Sequence, residues 1–336
     1  MSIGAELNEF LDKLQSVSPV KRRAVASLLG SCVADAASRP LHWIYDKEVL
    51  ATLLKERDHP EFWPESKSPF YTLPTGDRSC YNHVVEAGLE AFIRAGGEAD
   101  TEVYREVIKE KFGEGTEWQE ALARRKEAYN PSKRGTWREP VPGPWIHGAV
   151  IHQLETGLGE EENTEMDAFL LTLAHLVLRV EREEVMEECV KISSLLSGRS
   201  DLVRSLGTCL RQVLLSEGQI TLEEIKKDAK EIVIPVLDKL EEDHIVTVES
   251  LGKNCHLPGS FQGALHAFLT SRDSENRFPE TVRLCIKAGG CNCSRANYAG
   301  ALVGAELGPD CLPVTWLGRL NGAERIMKQI AKAAKI

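Results

Sequence analysis

Apolar residues recur at intervals of three and four through almost the whole chain, and this periodicity constrains the fold more than any other feature. In "DLVRSLGTCLRQVLL" and "TLEEIKKDAKEIVIPVLDKLEED" they fall on one face of a helix, with an expected kink or interruption at Pro235. We find no convincing alternation of apolar and polar residues of the kind that a half-buried strand shows. The pattern therefore predicts an all-α protein. Further helices are predicted at about residues 20–37, 83–95, 101–112, 116–128, 146–156, 165–180, 183–196, 261–271, 276–288, 294–307 and 321–334.

The predicted helices are expected to form one compact domain. The chain has 336 residues, of which 42% are hydrophobic, and that is enough for a sizeable core. No linker, low-complexity run or fixed repeat divides it, so we assign an N-terminal helix to 1–19, a core to 20–320 and a C-terminal helix to 321–336. Three stretches rich in Pro, Gly, Ser and aromatic residues are predicted to be loops that build a binding face: 57–81, 129–145 and 246–260.

Two of the predicted helices carry rows of small residues spaced four or so apart. Gly lowers helix stability by about 1 kcal/mol relative to Ala, so such rows indicate a place where another backbone or a ligand comes close. A tight crossing of two helices is the simpler interpretation, and it is compatible with a nearby ligand. The rows are Ala26, Gly30, Ala34 and Ala37 in the first helix, and Ala296, Gly300, Gly304 and Gly308 in the second.

Charge and hydropathy exclude several classes of function. A net charge of −10 and a pI near 5.5 argue against a nucleic-acid partner, which needs a clustered basic surface. The first residues show no signal-peptide pattern and no segment stays apolar for about 18 residues, so we expect a cytoplasmic protein without a membrane partner. The nine cysteines lie mostly in apolar helical patterns, as reduced thiols do. Cys291 and Cys293 alone look locally organised, and one Cys-x-Cys supplies too few ligands for structural zinc.

Four segments of the chain carry a resemblance to a known family. They are "GSCVADAASRPLHWIYD", "PVPGPWIHGAVIH", "LPGSFQGALHAFL" and "AGGCNCSRANYAGALVGAELG". Together they resemble the ADP-ribosylglycohydrolase family, in the branch that contains the J-crystallins and selenoprotein J. The resemblance runs from about residue 24 to residue 320 in the family's order. It implies a compact all-α body whose cleft is formed by helix termini and loops.

The same resemblance implies a pair of magnesium ions that this chain is not equipped to hold. Active relatives use a late Asp-x-Asp-Thr motif that follows two glycines, and here those positions are Cys291, Cys293 and Ser294. The early Thr-Asp-Asp motif corresponds either to Asn82-His83 or to a register on Gly76-Asp77, and neither supplies two carboxylates. Magnesium prefers hard oxygen donors, whereas thiols are soft ligands. We therefore expect no metal or cofactor here, with Asp35 as the carboxylate left in the first conserved helix.

The substituted loop leaves three hypotheses open. Cys291 and Cys293 lie at the start of a predicted helix, with Ser294 near the capping position, and the helix dipole there favours a thiolate. A reactive thiol is one hypothesis and an inert pair of buried thiols is another. A third is a soft-metal site in which His83 joins the two cysteines, although a His at a helix start is more often a cap or a surface group. His147, His152, His175 and His266 are interpreted as core or rim histidines, and Arg295 as the partner of a carboxylate.

These considerations give a candidate cleft and two functional hypotheses. The first is a catalytically degenerate protein with a crystallin-like structural or scaffold role. The alternative is an ADP-ribosyl or nucleotide-ligand hydrolase or binding protein that uses the thiols or a soft metal, with an ADP-ribose-like partner; the sequence leaves the oligomeric state open. Trp43 and Trp145, with Tyr45 nearby, are candidates for stacking on an adenine. The full set of candidate cleft residues is Asp35, Trp43, Asn82, His83, Trp145, Gly290, Cys291, Asn292, Cys293 and Ser294.

Overall fold

A computed structural model describes residues 3–128, 139–218, 220–227 and 229–336, and over these residues the chain is built from helices. The predicted all-α class is confirmed. The helices are α1 (Ile3–Gln15), α2 (Pro19–Ser38), α3 (Lys47–Leu54), α4 (Cys80–Arg94), α5 (Thr101–Phe112), α6 (Glu117–Ala128), α7 (Gly148–Thr156), α8 (Asp167–Leu178), α9 (Val185–Ser193), α10 (Ser200–Leu215), α11 (Leu222–Lys226), α12 (Lys230–Leu237), α13 (His244–Leu251), α14 (Gly259–Thr270), α15 (Arg277–Lys287), α16 (Asn292–Leu307), α17 (Val314–Leu317) and α18 (Ala323–Ala334).

Short elements complete the fold. Two-residue strands β1 (Tyr71–Thr72) and β2 (Val141–Pro142) pair in parallel, with Tyr71 opposite Val141. Single 3₁₀ turns follow α2 (Arg39–Leu41) and α16 (Pro309–Cys311). The strand pair is too short to show the alternation that a sequence pattern could reveal.

The centre of the molecule is the crossing of α2 and α16. A Cβ on Gly30 would lie 2.4 Å from the Gly300 carbonyl oxygen, and a Cβ on Gly300 would lie 2.5 Å from the Gly30 carbonyl oxygen. The two backbones are therefore in direct contact, which only glycine allows at both positions. The small residues predicted a tight helix crossing, and that prediction is confirmed.

Three predictions about loops and helix ends were incomplete or wrong. The stretch 246–260 was predicted to be a loop, but most of α13 and the start of α14 lie within it. α3 was not predicted, although the Asp46 carboxylate caps it by accepting hydrogen bonds from the amides of Glu48 and Val49 at 2.9 and 3.1 Å. Pro235 lies inside α12, and the helical break falls between α11 and α12 instead.

The other predicted loops lie where the candidate cleft forms. The stretch 57–81 is largely irregular, with β1 inside it and the first residues of α4 at its end. Of the stretch 129–145, residues 129–138 lie outside the described part of the chain, and the rest contains β2. Over the residues that the structure does describe, none of the helices combines the length and the apolar character needed to cross a bilayer.

Candidate functional site

The loop before α16 is held between two other segments of the chain. The Gly290 amide donates to the Ile44 carbonyl at 2.7 Å, and the Gly290 carbonyl accepts from the Trp43 amide at 2.9 Å. On the other side, the Cys291 amide donates to the Lys253 carbonyl at 2.8 Å. Gly290 has a positive φ of 58°, and a Cβ there would lie 2.3 Å from the Lys253 carbonyl oxygen. Only glycine therefore fits at this position, and it fixes where the Cys291 side chain begins.

Neutral donors surround the Cys291 sulfur, which is completely buried. The Trp43 indole Nε1 donates to Sγ at 3.3 Å, and the Tyr81 hydroxyl lies 2.9 Å from Sγ. His42 Nε2 lies 3.5 Å from the same sulfur, while His42 Nδ1 is 2.9 Å from the Tyr71 hydroxyl. If the Tyr71 hydroxyl donates to Nδ1, the His42 Nε2–H points at the sulfur. Burial lowers the pKa of His42, so this imidazole donates as a neutral group.

The donors stabilise a thiolate at Cys291. Burial works against ionisation, but hydrogen bonds from Cys255 and His42 outweigh it and hold the pKa of the Cys291 thiol well below its ordinary value. The Cys255 thiol shows the opposite shift, because its hydrogen bond to Cys291 raises its pKa. The opposite shifts of the two pKa values make Cys291 the thiol of the pair that ionises more readily.

Cys293 occupies a different environment, although it is only one residue farther along. Its sulfur is also completely buried, and the Ser38 hydroxyl donates to it at 3.5 Å. Burial, with the nearby charge of Asp35, raises the pKa of the Cys293 thiol well above its ordinary value. The two candidate thiols thus differ: Cys293 is a neutral core thiol, and Cys291 is the one poised to ionise.

Asp35 is the buried carboxylate of the α2–α16 crossing. It accepts hydrogen bonds from the amide and the hydroxyl of Ser79, each at 2.5 Å, and from the Asn297 side chain. Burial raises the pKa of its carboxyl group to about 6, because these hydrogen bonds only partly replace lost hydration. Asn82 belongs to the same network through its side-chain amide, which donates to Asn297 Oδ1 at 2.8 Å. These residues hold α2, α4 and α16 together.

His83 does not join the thiols. It lies against Trp118, with 5.3 Å between ring centroids, and lines a separate cavity of about 350 Å³ with Arg78 and Glu86. Within the described part of the chain, the one group of three metal-ligating side chains close enough to share an ion is at another place and contains neither Cys291 nor Cys293. The hypothesis of a soft-metal site made from His83 and the two cysteines is therefore wrong.

The remaining predicted residues of the loop have structural roles. The Asn292 side-chain amide donates to the carbonyls of Ser38 and Leu41 at 3.1 and 3.2 Å. Cys291 occupies the N-cap position, so Ser294 is the third residue of the helix, and its hydroxyl donates to the Cys291 carbonyl at 2.9 Å. Arg295 was expected to bind a carboxylate, but it is buried and its guanidinium donates to backbone carbonyls, among them that of Cys285 at 3.2 Å.

Trp43 and Trp145 lie side by side, as the candidate cleft requires. Their rings meet edge to face with centroids 4.9 Å apart, and both line a cavity of about 460 Å³. Trp43 has a positive φ of 64°, a strained conformation for a bulky residue that is usually kept only where the surroundings enforce it. Arg125 and Lys126 line the same cavity, and the Arg125 guanidinium stacks 4.1 Å above the Trp145 ring. The described lining does not include Tyr45.

A group of residues in the wall of this cavity escaped the sequence analysis. His147 was interpreted as a core or rim histidine, and it is buried, but its Nδ1 lies 2.7 Å from the Asp167 carboxylate and its Nε2 lies 3.3 Å from the Cys80 sulfur. Glu165 approaches the same Nδ1 at 3.9 Å. Burial opposes protonation of His147, but the charges of Asp167 and Cys80 outweigh it and raise its pKa well above the ordinary value. No sequence spacing indicates this group, because three separate segments supply it.

The donor set at the inherited magnesium positions does not fit magnesium. Both positions are thiols, and both are completely buried by core side chains. Asp35 is the nearby carboxylate, and its oxygens are already occupied by Ser79 and Asn297. Magnesium needs an octahedron of oxygen ligands and usually keeps several waters. We therefore derive no chemical step through magnesium in this protein.

Comparisons with known proteins agree with the fold. The profile of the ADP-ribosylglycohydrolase family matches residues 16–335. Crystallin J1A of Tripedalia cystophora is 26% identical over 345 residues, which cover 96% of this chain and 99% of the crystallin. Crystallin J1B of Tripedalia cystophora is 25% identical over 329 residues, which cover 92% of this chain and 95% of that crystallin. A solved "ADP-ribosylglycohydrolase-related protein complex" is similar with a TM-score of 0.58 at 17% identity, covering 95% of this chain and 99% of that chain, which is a likeness of fold alone.

Proposed function

The chain belongs to the ADP-ribosylglycohydrolase family, and we propose that it keeps the family fold without the magnesium-dependent hydrolase activity, in a crystallin-like structural role. One observation carries the proposal: the two positions that correspond to magnesium-binding aspartates are Cys291 and Cys293, buried and enclosed by core side chains. Two buried thiols do not offer the oxygen ligands that a hydrated magnesium ion needs. The similarity to two crystallins supports the structural role.

A hydrolysis assay tests the loss of activity. The purified chain is incubated with peptides ADP-ribosylated on arginine or serine, with magnesium and separately with EDTA. Release of ADP-ribose should equal the protein-free background in both conditions, while an active family member, assayed in parallel, shows that the substrates are competent. Magnesium-dependent turnover by this chain, abolished by EDTA, would contradict the proposal.

Light scattering of the concentrated protein tests the structural role. A lens-type protein must stay dispersed at high concentration, and a net charge of −10 favours mutual repulsion. Scattering per unit mass should therefore stay flat or fall as the protein is concentrated at low salt. A steep rise from aggregation at modest concentration would count against the crystallin-like role and leave the loss of hydrolysis untouched.

A second candidate function is binding of an ADP-ribose-like ligand without cleavage. It is favoured by the cavity of about 460 Å³, in which Trp43 and Trp145 present aromatic surface and Arg125 and Lys126 present positive charge. An adenine stacks on aromatic rings, and a pyrophosphate pairs with cations. The cytoplasmic location expected from the sequence would supply nucleotide ligands of this kind.

A melting-temperature titration with ADP-ribose tests this second function. We expect a saturable rise that is the same with and without magnesium, because a ligand that binds only the folded state stabilises it. Lys126→Ala should weaken binding by about fivefold, the effect of losing a partly exposed charge contact. Lys55→Ala is the matched control, since Lys55 is exposed and is absent from the described cavity lining. No shift at millimolar ligand would exclude this function.

A further inference from the structure

We propose that His147, Glu165 and Asp167 form a binding site for one divalent transition-metal ion, with zinc the best match, in the wall of the cavity beside Trp145. This site is distinct from the inherited magnesium positions, and none of its residues belongs to the late cysteine loop. It goes beyond the functions proposed above. The sequence predicts no metal or cofactor in this chain, and the proposal departs from that expectation.

Three side chains from two segments of the chain converge at this point. His147 is the N-cap of α7, Asp167 is the first residue of α8, and Glu165 lies two residues before it. One ligand atom from each lies within 4.8 Å of the other two. His147 Nδ1 is 2.7 Å from Asp167 Oδ2 and 3.9 Å from Glu165 Oε2. Ligands of a tetrahedral zinc ion lie about 3.3 Å apart, so small side-chain movements complete the geometry.

A second observation points independently to a missing ligand. The Asp167 side chain is completely buried, and its Oδ1 atom has no hydrogen-bond partner among the residues that the structure describes. Buried carboxylate oxygens in folded proteins are nearly always satisfied by a donor or a cation. A metal ion bound between Asp167 and its two neighbours would supply that partner.

Charge and donor type favour zinc over magnesium. Binding of the ion displaces the proton from His147 Nδ1, after which the two carboxylates give the group a charge that one divalent ion balances. Imidazole nitrogen is a good zinc ligand, and carboxylate oxygens bind zinc as well. His147 Nε2 contacts the Cys80 sulfur at 3.3 Å, so its N–H would orient the ring as metal-bound histidines commonly require.

The site is also accessible. His147, Glu165 and Cys255 all line the cavity of about 460 Å³ that contains Trp43 and Trp145. An ion held by the three ligands would therefore have an entry path from this cavity. An oxygen of a small ligand, or a water, would complete the coordination.

The test uses the full-length chain, stripped with EDTA and kept reduced with a phosphine, which competes weakly for zinc. Zinc binding is measured by calorimetry and by metal analysis after equilibrium dialysis. We expect about one tightly bound zinc ion per chain, and at least about a tenfold loss of affinity in Glu165→Gln. Asp167→Asn is the second variant; circular dichroism and melting establish that each variant is folded. Glu165 is the safer position, because its side chain is 18% exposed.

Glu188→Gln is the matched control. It alters a similar pair, His175 Nε2 and Glu188 Oε2 at 2.8 Å, which has no third metal ligand among the described residues. Zinc binding that survives in Glu188→Gln and is lost in Glu165→Gln would support the site. Equal affinity in the wild type and Glu165→Gln would assign the zinc to free thiols elsewhere and overturn the proposal. Failure of the wild type to bind zinc at micromolar concentration would overturn it as well.

Discussion

The two sides of the loop before α16 show how one short segment can serve two environments. On one side, Cys293 and Asp35 lie in the packed crossing of α2 and α16, where burial keeps the thiol protonated and raises the pKa of the carboxyl group. On the other side, Cys291 faces Trp43, Tyr81 and His42, and its thiol pKa is lowered. Both thiols are buried, so burial alone does not set the pKa of a thiol. The hydrogen-bond donors around the sulfur determine the direction of the shift.

The packed side should be the more sensitive to added volume. Gly300→Ala places a Cβ 2.5 Å from the Gly30 carbonyl oxygen and 2.6 Å from the Ala34 Cβ, so the two helices must separate. We expect a loss of about 3 kcal/mol in the free energy of unfolding, as overpacking commonly costs. Denaturant titration measures it. Gly148→Ala is the control, because a Cβ there meets no atom within 4 Å; equal effects of both variants would refute the close crossing.

The carboxylate of the packed side should make stability depend on pH. Folding raises the pKa of Asp35 from 3.8 to about 6, so the folded state binds the extra proton between these values. Stability from this group is therefore present below pH 3.8 and is lost as pH rises through 6. The loss amounts to up to about 3 kcal/mol.

Asp35→Asn isolates this contribution. The unfolding free energies of wild type and variant are measured by denaturant titration from pH 4 to pH 7.5. As the pH rises, the free energy of the wild type should fall relative to that of the variant. The other titrating groups are present in both proteins, so their contributions cancel in the difference of the two unfolding free energies. A difference that stays constant over this range would mean that Asp35 titrates normally.

The two thiols should separate in a spectroscopic titration. Thiolates absorb in the ultraviolet where thiols do not, so a pH titration of the absorbance should show a thiol that ionises well below the ordinary thiol range. We expect Cys291→Ser to remove this signal and Cys293→Ser to preserve it, because their pKa shifts have opposite directions. The measurement does not require the buried sulfurs to be accessible to a reagent. Identical titrations of the two variants would contradict the opposite pKa shifts of Cys291 and Cys293.

The smallest effect should come from a single donor on the aromatic side. Trp43→Phe keeps an aromatic ring but removes the indole N–H that lies 3.3 Å from the Cys291 sulfur. One lost hydrogen bond should raise the midpoint of Cys291 ionisation by about one pH unit. Trp316→Phe is the control, because Trp316 packs against Phe62 and Phe278 in another part of the core. An unchanged midpoint in Trp43→Phe would mean that the remaining donors suffice.

The sequence predicted the fold better than it predicted the site. Periodicity identified most of the helices, and the spaced small residues identified two of them as sites of close packing, since both signals depend on residues close together in the chain. α3 was missed although Asp46 offered a capping signal, and α13 was missed inside a predicted loop. The cluster of His147, Glu165 and Asp167 was missed because His147 lies 18 and 20 residues from the two carboxylates and meets them only in the folded chain.

Neighbours on one helix show the limit most clearly. Asn82 and His83 were predicted together as cleft residues, but consecutive side chains on a helix point about 100° apart. Asn82 faces α16 and hydrogen-bonds to Asn297, while His83 faces Trp118 and the cavity that contains Glu86. The sequence gives the order of residues along a helix. It does not give which neighbouring element each side chain faces, because that depends on how the helices pack.

The sequence by itself determined the all-α class and the presence of two helices whose small residues allow close packing, since both follow from residue type and local spacing. That these two helices are α2 and α16, crossing each other, was decided by the tertiary structure. The tertiary structure alone decided which thiol ionises and where a metal ion fits. Tyr81 and Trp43 lie more than 200 residues from Cys291 in the chain. Electrostatic interactions act through distance in space, and only the packed fold brings these donors to one sulfur.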